Sequence, residues 1–301
     1  MEYKIFESSD TNVKKFVFEW GASAVTKKGI AEAVLYRYGE YAKRTVICCS
    51  VQSGCPVGCT FCGTGKFFVR NLDWHEIIEQ VTTVLSTIDC NTKDIEKFQI
   101  MFMSMGEPFL NYINLERAIE SLHDLYPNAQ LLVSTSAPST LYHAMSEFIE
   151  LSKRIPQVGL QFSVHESTDE ARAKLIPTKT CTFRQIAAAG EFWAANTGRK
   201  PFFNYCVHEG NDTEEDARRL YKLFRTDVWE TTLSVICEKD ETVKNSIDRQ
   251  IRLIRDFNRR LCELGFSTRV FNPAGQDDIG GGCGQLWYFQ DWLKHEGINK
   301  S

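Results

Sequence analysis

From Arg44 onward the chain alternates short β-rich runs with amphipathic stretches of helical period, and this alternation limits its fold more than any other feature. Strands are expected at 44–50, 97–103, 130–134, 158–164, 201–207, 231–237 and 267–271, with helices between them. One helix opens on Asp73 with Glu76 as its capping partner and carries Ile77, Ile78, Val81, Val84 and Leu85 as one apolar stripe. Others start near Asn114, Thr182 and Thr213. A long one carries Ile247, Ile251, Ile254, Phe257, Leu261 and Leu264 and stops at Gly265, a left-handed cap. Repeated βα units with right-handed crossovers predict an α/β fold, either an open doubly wound sheet or a complete or partial (β/α) barrel. Residues 1–43 are expected to form a short N-terminal extension, and 44–301 the main domain.

At 43% hydrophobic and 25% charged residues the composition is that of a globular protein. No run of eighteen apolar residues occurs, and the opening MEYKIFESSD has no basic flank followed by an apolar run. The expectation is a cytoplasmic protein without membrane contact. In that setting eleven cysteines point to metal binding, redox chemistry or burial rather than structural disulfides. A net charge of -4 gives no broad footprint for nucleic acid, so any RNA contact has to come from a local basic patch.

Cys55, Cys59 and Cys62 form C-x3-C-x2-C directly after an expected strand, in a loop that also holds Gly54, Pro56, Gly58, Gly63 and Gly65. Three thiolates on one such loop suit a [4Fe-4S] cluster with one iron left open to a small molecule. Zinc is the rival, but its sites usually add a second cysteine pair, and none follows here. Burial without a metal is the blandest alternative, and a glycine-rich loop is a poor place to pack three cysteines.

The triplet, with Phe61 just before its last cysteine, resembles the radical S-adenosylmethionine (SAM) signature. The wider stretch CCSVQSGCPVGCTFCGTGKFFVRNL, from Cys48 to Leu72, is similar to the RlmN/Cfr-type radical SAM methyltransferases that act on C2 or C8 of adenine in RNA. The resemblance runs from about Glu32 to Leu286. It implies a (β/α) barrel of the radical SAM type and a [4Fe-4S] cluster held by Cys55, Cys59 and Cys62. It implies a SAM site as well, where Gly106 and Glu107 of Met105-Gly106-Glu107-Pro108 meet the amino group, a carboxylate suiting an ammonium. Ser134, Ser163 and His165, each at a strand end, resemble further SAM contacts. Taken singly, these are also what a helix cap or a core histidine looks like.

Asp277-Asp278-Ile279 with Cys283-Gly284-Gln285-Leu286 resembles the family segment that carries a methylated cysteine, which makes Cys283 the methyl carrier. Cys48, seven residues before Cys55, matches the second essential cysteine. Alone, either could be a buried structural residue. The implied reaction methylates Cys283 from one SAM and uses a second SAM to abstract hydrogen from that methyl group. The carbon then joins the aromatic ring, a base removes the ring proton, and Cys48 attacks the Cys283 sulfur to release product and leave a disulfide. Adenine C2 is not nucleophilic, so a radical route is required. Glu32 resembles the family's glutamate and is the candidate base, with an exposed strand glutamate as the alternative. Gly280, Gly281 and Gly282 would let Cys283 move. An electron donor such as flavodoxin or ferredoxin is implied.

Three departures bear on the substrate. The region before the barrel is short, Cys237 falls where the family has an asparagine near SAM, and 269–275 is less basic than its counterpart. Fewer cations weaken phosphate contact, so a nucleotide, DNA or a small heteroaromatic is the alternative substrate. Lys43, Arg44, Lys66, Arg70, Arg199 and Lys200 are the candidates for a basic patch.

Overall fold

The computed structural model describes residues 1–23, 26–234, 243–271 and 279, apart from the side chains of Lys66 and 243–250. The chain divides into two compact units. The first comprises Met1–Gly58 and Cys62–Val133 with Ile279, and the second Cys59–Phe61 and Ser134–Asn272.

The first unit opens with an antiparallel meander that the alternation argument did not resolve: β1 (Glu2–Glu7), β2 (Val13–Trp20) and β3 (Gly29–Arg37). β3 pairs antiparallel with β4 (Arg44–Cys49). The short β5 (Gln52–Gly54) and β6 (Phe68–Asn71) make a separate hairpin around the cysteine loop. β4 pairs parallel with β7 (Lys97–Phe102), and β7 with β8 (Gln130–Thr135). The crossovers are α1 (Trp74–Leu85) and α2 (Tyr112–Leu125). Asp73 and Glu76 form the expected capping box, and Ile77, Val81, Val84 and Leu85 are buried.

In the second unit β9 (Val158–Ser163), β10 (Phe202–Cys206), β11 (Glu230–Ser234) and β12 (Ser267–Phe271) pair in parallel in that order. Five helices accompany them: α3 (Leu141–Arg154), α4 (Asp169–Leu175), α5 (Phe183–Thr197), α6 (Glu214–Leu223) and α7 (Val243–Glu263). The expected strands are present, shifted by one residue at several ends. For 231–237 the strand is described only to Ser234. α5 and α6 begin on capping boxes at Thr182 and Thr213, and Gly265 after α7 has φ +94°, as a left-handed cap requires. Strand alternation sorts the two faces of the sheet. Phe203 stacks on Phe224 and Tyr205 on Phe257 toward the helices, while Asn204 between them points the other way. No helix among the described residues is long and apolar enough to cross a membrane.

Candidate active site

Directly paired residues share a face of a sheet, and the registers place Lys15, Val34, Cys48 and Met101 in one row across β2, β3, β4 and β7. Cys48 lies in a buried apolar cluster with Val13, Val34, Tyr36, Val46 and Ile279. Burial pushes its thiol up to about 12. Cys49, its neighbour, faces the opposite side of the strand. Ile279 is four residues before Cys283. Cys283 itself, Asp277, Asp278, the glycine run 280–282 and Cys237 lie outside the described residues.

Glu32, two residues before Val34, is on the same face, and it is not an exposed strand glutamate. Its side chain is fully buried against that of Lys15, which is also fully buried, with Nζ 2.6 Å from Oε2. Burial lowers the Lys15 pKa, and the Glu32 charge opposes that shift. The Glu32 carbonyl accepts from the hydroxyls of Ser50 and Ser104 at 2.6 and 2.7 Å, tying β3 to the ends of β4 and β7.

The cysteine loop leaves β5 through Gly54, whose φ is +81° and whose position leaves no room for a side chain. An added Cβ would lie 2.1 Å from the Phe67 carbonyl oxygen. The Cys55 amide donates to that same oxygen at 2.7 Å. None of the nine described cysteines is in a disulfide. Burial is the main cause that raises the Cys55 pKa to about 12, with Cys62 and Glu107 adding to it. Among the described residues no three His, Cys, Asp or Glu side chains are gathered closely enough to hold a metal ion. The fit to an iron-sulfur cluster therefore rests on donor chemistry: three thiols outside any disulfide on one loop, entered by a glycine that admits nothing larger.

Gln52 organises the neighbouring turn. Its Oε1 accepts from the Glu107 amide at 2.8 Å, and its Nε2 donates to Asn71 Oδ1 at 2.7 Å. Gly106 has φ +95°, and a Cβ there would meet Gln52 Cβ at 2.5 Å. Glu107, nearly buried, accepts from the Phe109 amide and caps a short 3-10 turn.

In the second unit, Gln161 donates to Ser134 Oγ at 3.1 Å. Ser163 ends β9, and His165 follows with φ +59°, an uncommon conformation for a non-glycine residue. Burial, then Arg172 and His208, push the His165 pKa down to about 3, so its ring is neutral. Phe61 of the cysteine loop meets the His165 ring edge to face, with centroids 5.5 Å apart. The buried Arg172 guanidinium donates to the carbonyls of Ser136 and Ser163, fixing the ends of β8 and β9.

Lys15, Gln52, Arg172 and Asn204 were not singled out by sequence reasoning. For Lys15 the signal was available: in VKKFVFEW, alternation puts it on the face of Val13 and Val17, an apolar side for a lysine. Several candidates for a basic patch are engaged within the protein. Arg70 grips Glu76 with two hydrogen bonds of 2.7 Å, Arg44 lies over the Tyr38 ring, and Arg199 donates to the carbonyls of Pro156 and Ser152.

The radical SAM superfamily profile matches residues 49–224. A probable dual-specificity RNA methyltransferase RlmN from Koribacter versatilis is 34% identical over 81% of this chain and 69% of its own length. Another, from Dictyoglomus turgidum, is 28% identical over 96% of this chain and 79% of its own. The crystal structure of a radical SAM methyltransferase from Sphaerobacter thermophilus superposes with a TM-score of 0.72 at 28% identity, covering 94% of this chain and 80% of that one. With the cysteine loop, the Gly-Glu turn and the α/β fold in place, the comparisons settle the family: this chain belongs to the radical SAM superfamily and, within it, to the RlmN/Cfr-type methyltransferases.

Proposed function

We propose that this methyltransferase acts on an sp2 carbon of adenine, C2 or C8, in RNA, by way of a methyl group carried on Cys283. The observation that carries the reading is the shared burial of Cys48 and Ile279 in one apolar cluster. Cys283 follows Ile279 by four residues, at most about 14 Å of extended chain, a separation short enough for the reaction between the two thiols that this reading requires.

Cys55, Cys59 and Cys62 would hold the [4Fe-4S] cluster, Gly106 and Glu107 the SAM amino group, and Ser134, Ser163 and His165 further parts of SAM. Together the two cofactors supply one-electron cleavage of SAM and so hydrogen abstraction from an unactivated methyl group. The protein's own residues do the rest. Cys283 takes the methyl group as a thiolate nucleophile. Glu32, held on the face of Cys48 by Lys15, accepts the ring proton, and the electron that the adduct must lose with it would return to the cluster. Cys48 then attacks the Cys283 sulfur: a disulfide forms, the sulfur-carbon bond to the adduct breaks, and its electron pair stays with the product carbon, which takes up a proton. An external thiol reductant resets the pair. His165, neutral throughout, offers a hydrogen-bonding ring without a charge. Residues 44–301 would form the catalytic domain, working in the cytoplasm with a flavodoxin- or ferredoxin-like electron donor.

The internal engagement of Arg44, Arg70 and Arg199 favours a second reading, the same two-cysteine chemistry on a nucleotide, DNA or a small heteroaromatic. Mass spectrometry of nucleosides from RNA treated with the anaerobic, cluster-loaded enzyme separates the two. Formation of 2-methyladenosine or 8-methyladenosine is expected; its absence while a free nucleotide is methylated selects the second reading. A colourless protein holding one zinc and no sulfide would sink both.

A further inference from the structure

Ser163, on which the SAM reading partly rests, is paired in register with Asn204 of β10, and Asn204 in turn with Thr232 of β11. Paired residues share a face, and Phe203 and Tyr205 occupy the opposite, helix-covered one. Asn204 is thus the β10 residue on the face of Ser163, and it is 7% exposed.

Its side-chain bonding is one-sided. The Ser234 hydroxyl, also buried, donates to Asn204 Oδ1 at 2.6 Å. A hydroxyl donating to the amide oxygen fixes which way the amide points, and the Asn204 Nδ2 group then has two N–H donors with no partner among the described residues. Amide donors on a largely buried residue are normally paired, and these two, on the Ser163 face of the sheet, are placed to meet an acceptor of a bound ligand. The backbone of the same residue is also committed, since its carbonyl accepts from the amides of Val164 and His165 at 2.9 and 3.1 Å. Asn204 therefore anchors the turn that places His165 while presenting two donors beside Ser163.

We propose that Asn204 is a SAM-binding residue, its amide nitrogen donating to an acceptor oxygen of SAM and its orientation set by Ser234. The acceptor is either the carboxylate of the methionyl part or a ribose hydroxyl. The proposal rests on the SAM reading of Ser163 and His165.

The test is anaerobic calorimetry on the cluster-loaded protein with two unreactive probes, S-adenosylhomocysteine and 5'-methylthioadenosine, the second of which lacks the carboxylate. Asn204→Asp keeps the size of the side chain and the oxygen that accepts from Ser234, and replaces the two outward donors by an acceptor. A purely structural Asn204 would be satisfied by this change. The expected result is about tenfold or greater weakening of S-adenosylhomocysteine binding, the worth of a lost hydrogen bond to a charged or polar group. Ser234→Ala, which frees the amide to rotate, is expected to weaken it by a smaller factor. Weakening confined to S-adenosylhomocysteine assigns the carboxylate, and weakening of both probes assigns the ribose. Wild-type affinity for both probes in folded Asn204→Asp protein overturns the proposal while leaving the SAM site standing. Failure of the wild-type protein to bind either probe overturns the SAM reading and this proposal with it.

Discussion

Lys15 Nζ lies 2.6 Å from Glu32 Oε2 with neither side chain exposed to solvent. Two charges at such depth are each costly to bury alone and tolerable only together. Lys15→Met is therefore expected to destabilise the protein by about 3–5 kcal/mol, whereas Lys15→Met combined with Glu32→Leu recovers most of the loss. Urea denaturation of the two single variants and the double variant measures this as a coupling energy. Additive losses would show that the pair does not stand or fall as a unit.

The Cys48 thiol, raised to about 12 by burial, is expected to resist alkylation. At pH 8 only about one Cys48 in ten thousand is a thiolate. Iodoacetamide labelling followed by peptide mass spectrometry should modify the exposed Cys262 well before Cys48, with Cys48 labelling climbing as pH rises. Rapid labelling of Cys48 at pH 7 in folded protein would contradict the burial argument.

His165 carries its own pH signature. Its folded pKa, about 3, lies below the unfolded value near 6.5, so between these limits the unfolded chain binds more protons. Its contribution to stability is intact above about pH 6.5 and declines as pH falls toward 3. His165→Gln should flatten the acid limb of the stability curve, by up to about 1.4 kcal/mol per pH unit. Identical acid limbs in wild-type and variant protein would mean that the ring protonates freely in the folded state.

Gly54→Ala forces a Cβ to within 2.1 Å of the Phe67 carbonyl oxygen at a backbone with φ +81°. The hairpin that frames the cysteine loop must then shift, at about 1–3 kcal/mol for the backbone strain alone. Iron and sulfide per chain after anaerobic reconstitution should fall well below wild type. Gly21→Ala, with nothing within 4 Å, should retain both.

The parallel strands and their helices were legible because period-two and period-3.6 patterns alternate cleanly after Arg44, and because Asp73, Thr182 and Thr213 carry capping signals. The meander of β1 to β3 was not. Its middle and last strands are buried on both faces, so Phe16, Phe18, Ala31 and Ala33 interrupt the polar-apolar alternation that marks a half-exposed strand. Glu32 shows the same limit at the site. Its resemblance to the family's glutamate suggested a role although its spacing from Cys48 differs from the family's, and only the structure shows that it is buried with Lys15. Asn204 has no motif at all, and what distinguishes it, a hydroxyl from β11 turning its amide, is a contact thirty residues away in sequence.

The position of Ile279 beside Cys48 has a kinetic meaning. A thiol confined within about 14 Å of a fixed point has an effective concentration on the order of 0.1 M. That exceeds the millimolar thiols a cell supplies from solution, so in the proposed reaction Cys48 attacks the Cys283 sulfur of the adduct before any outside thiol competes. Lengthening the stretch between Ile279 and Cys283 would dilute that advantage slowly, and the first sign would be external thiols appearing as mixed disulfides on Cys283.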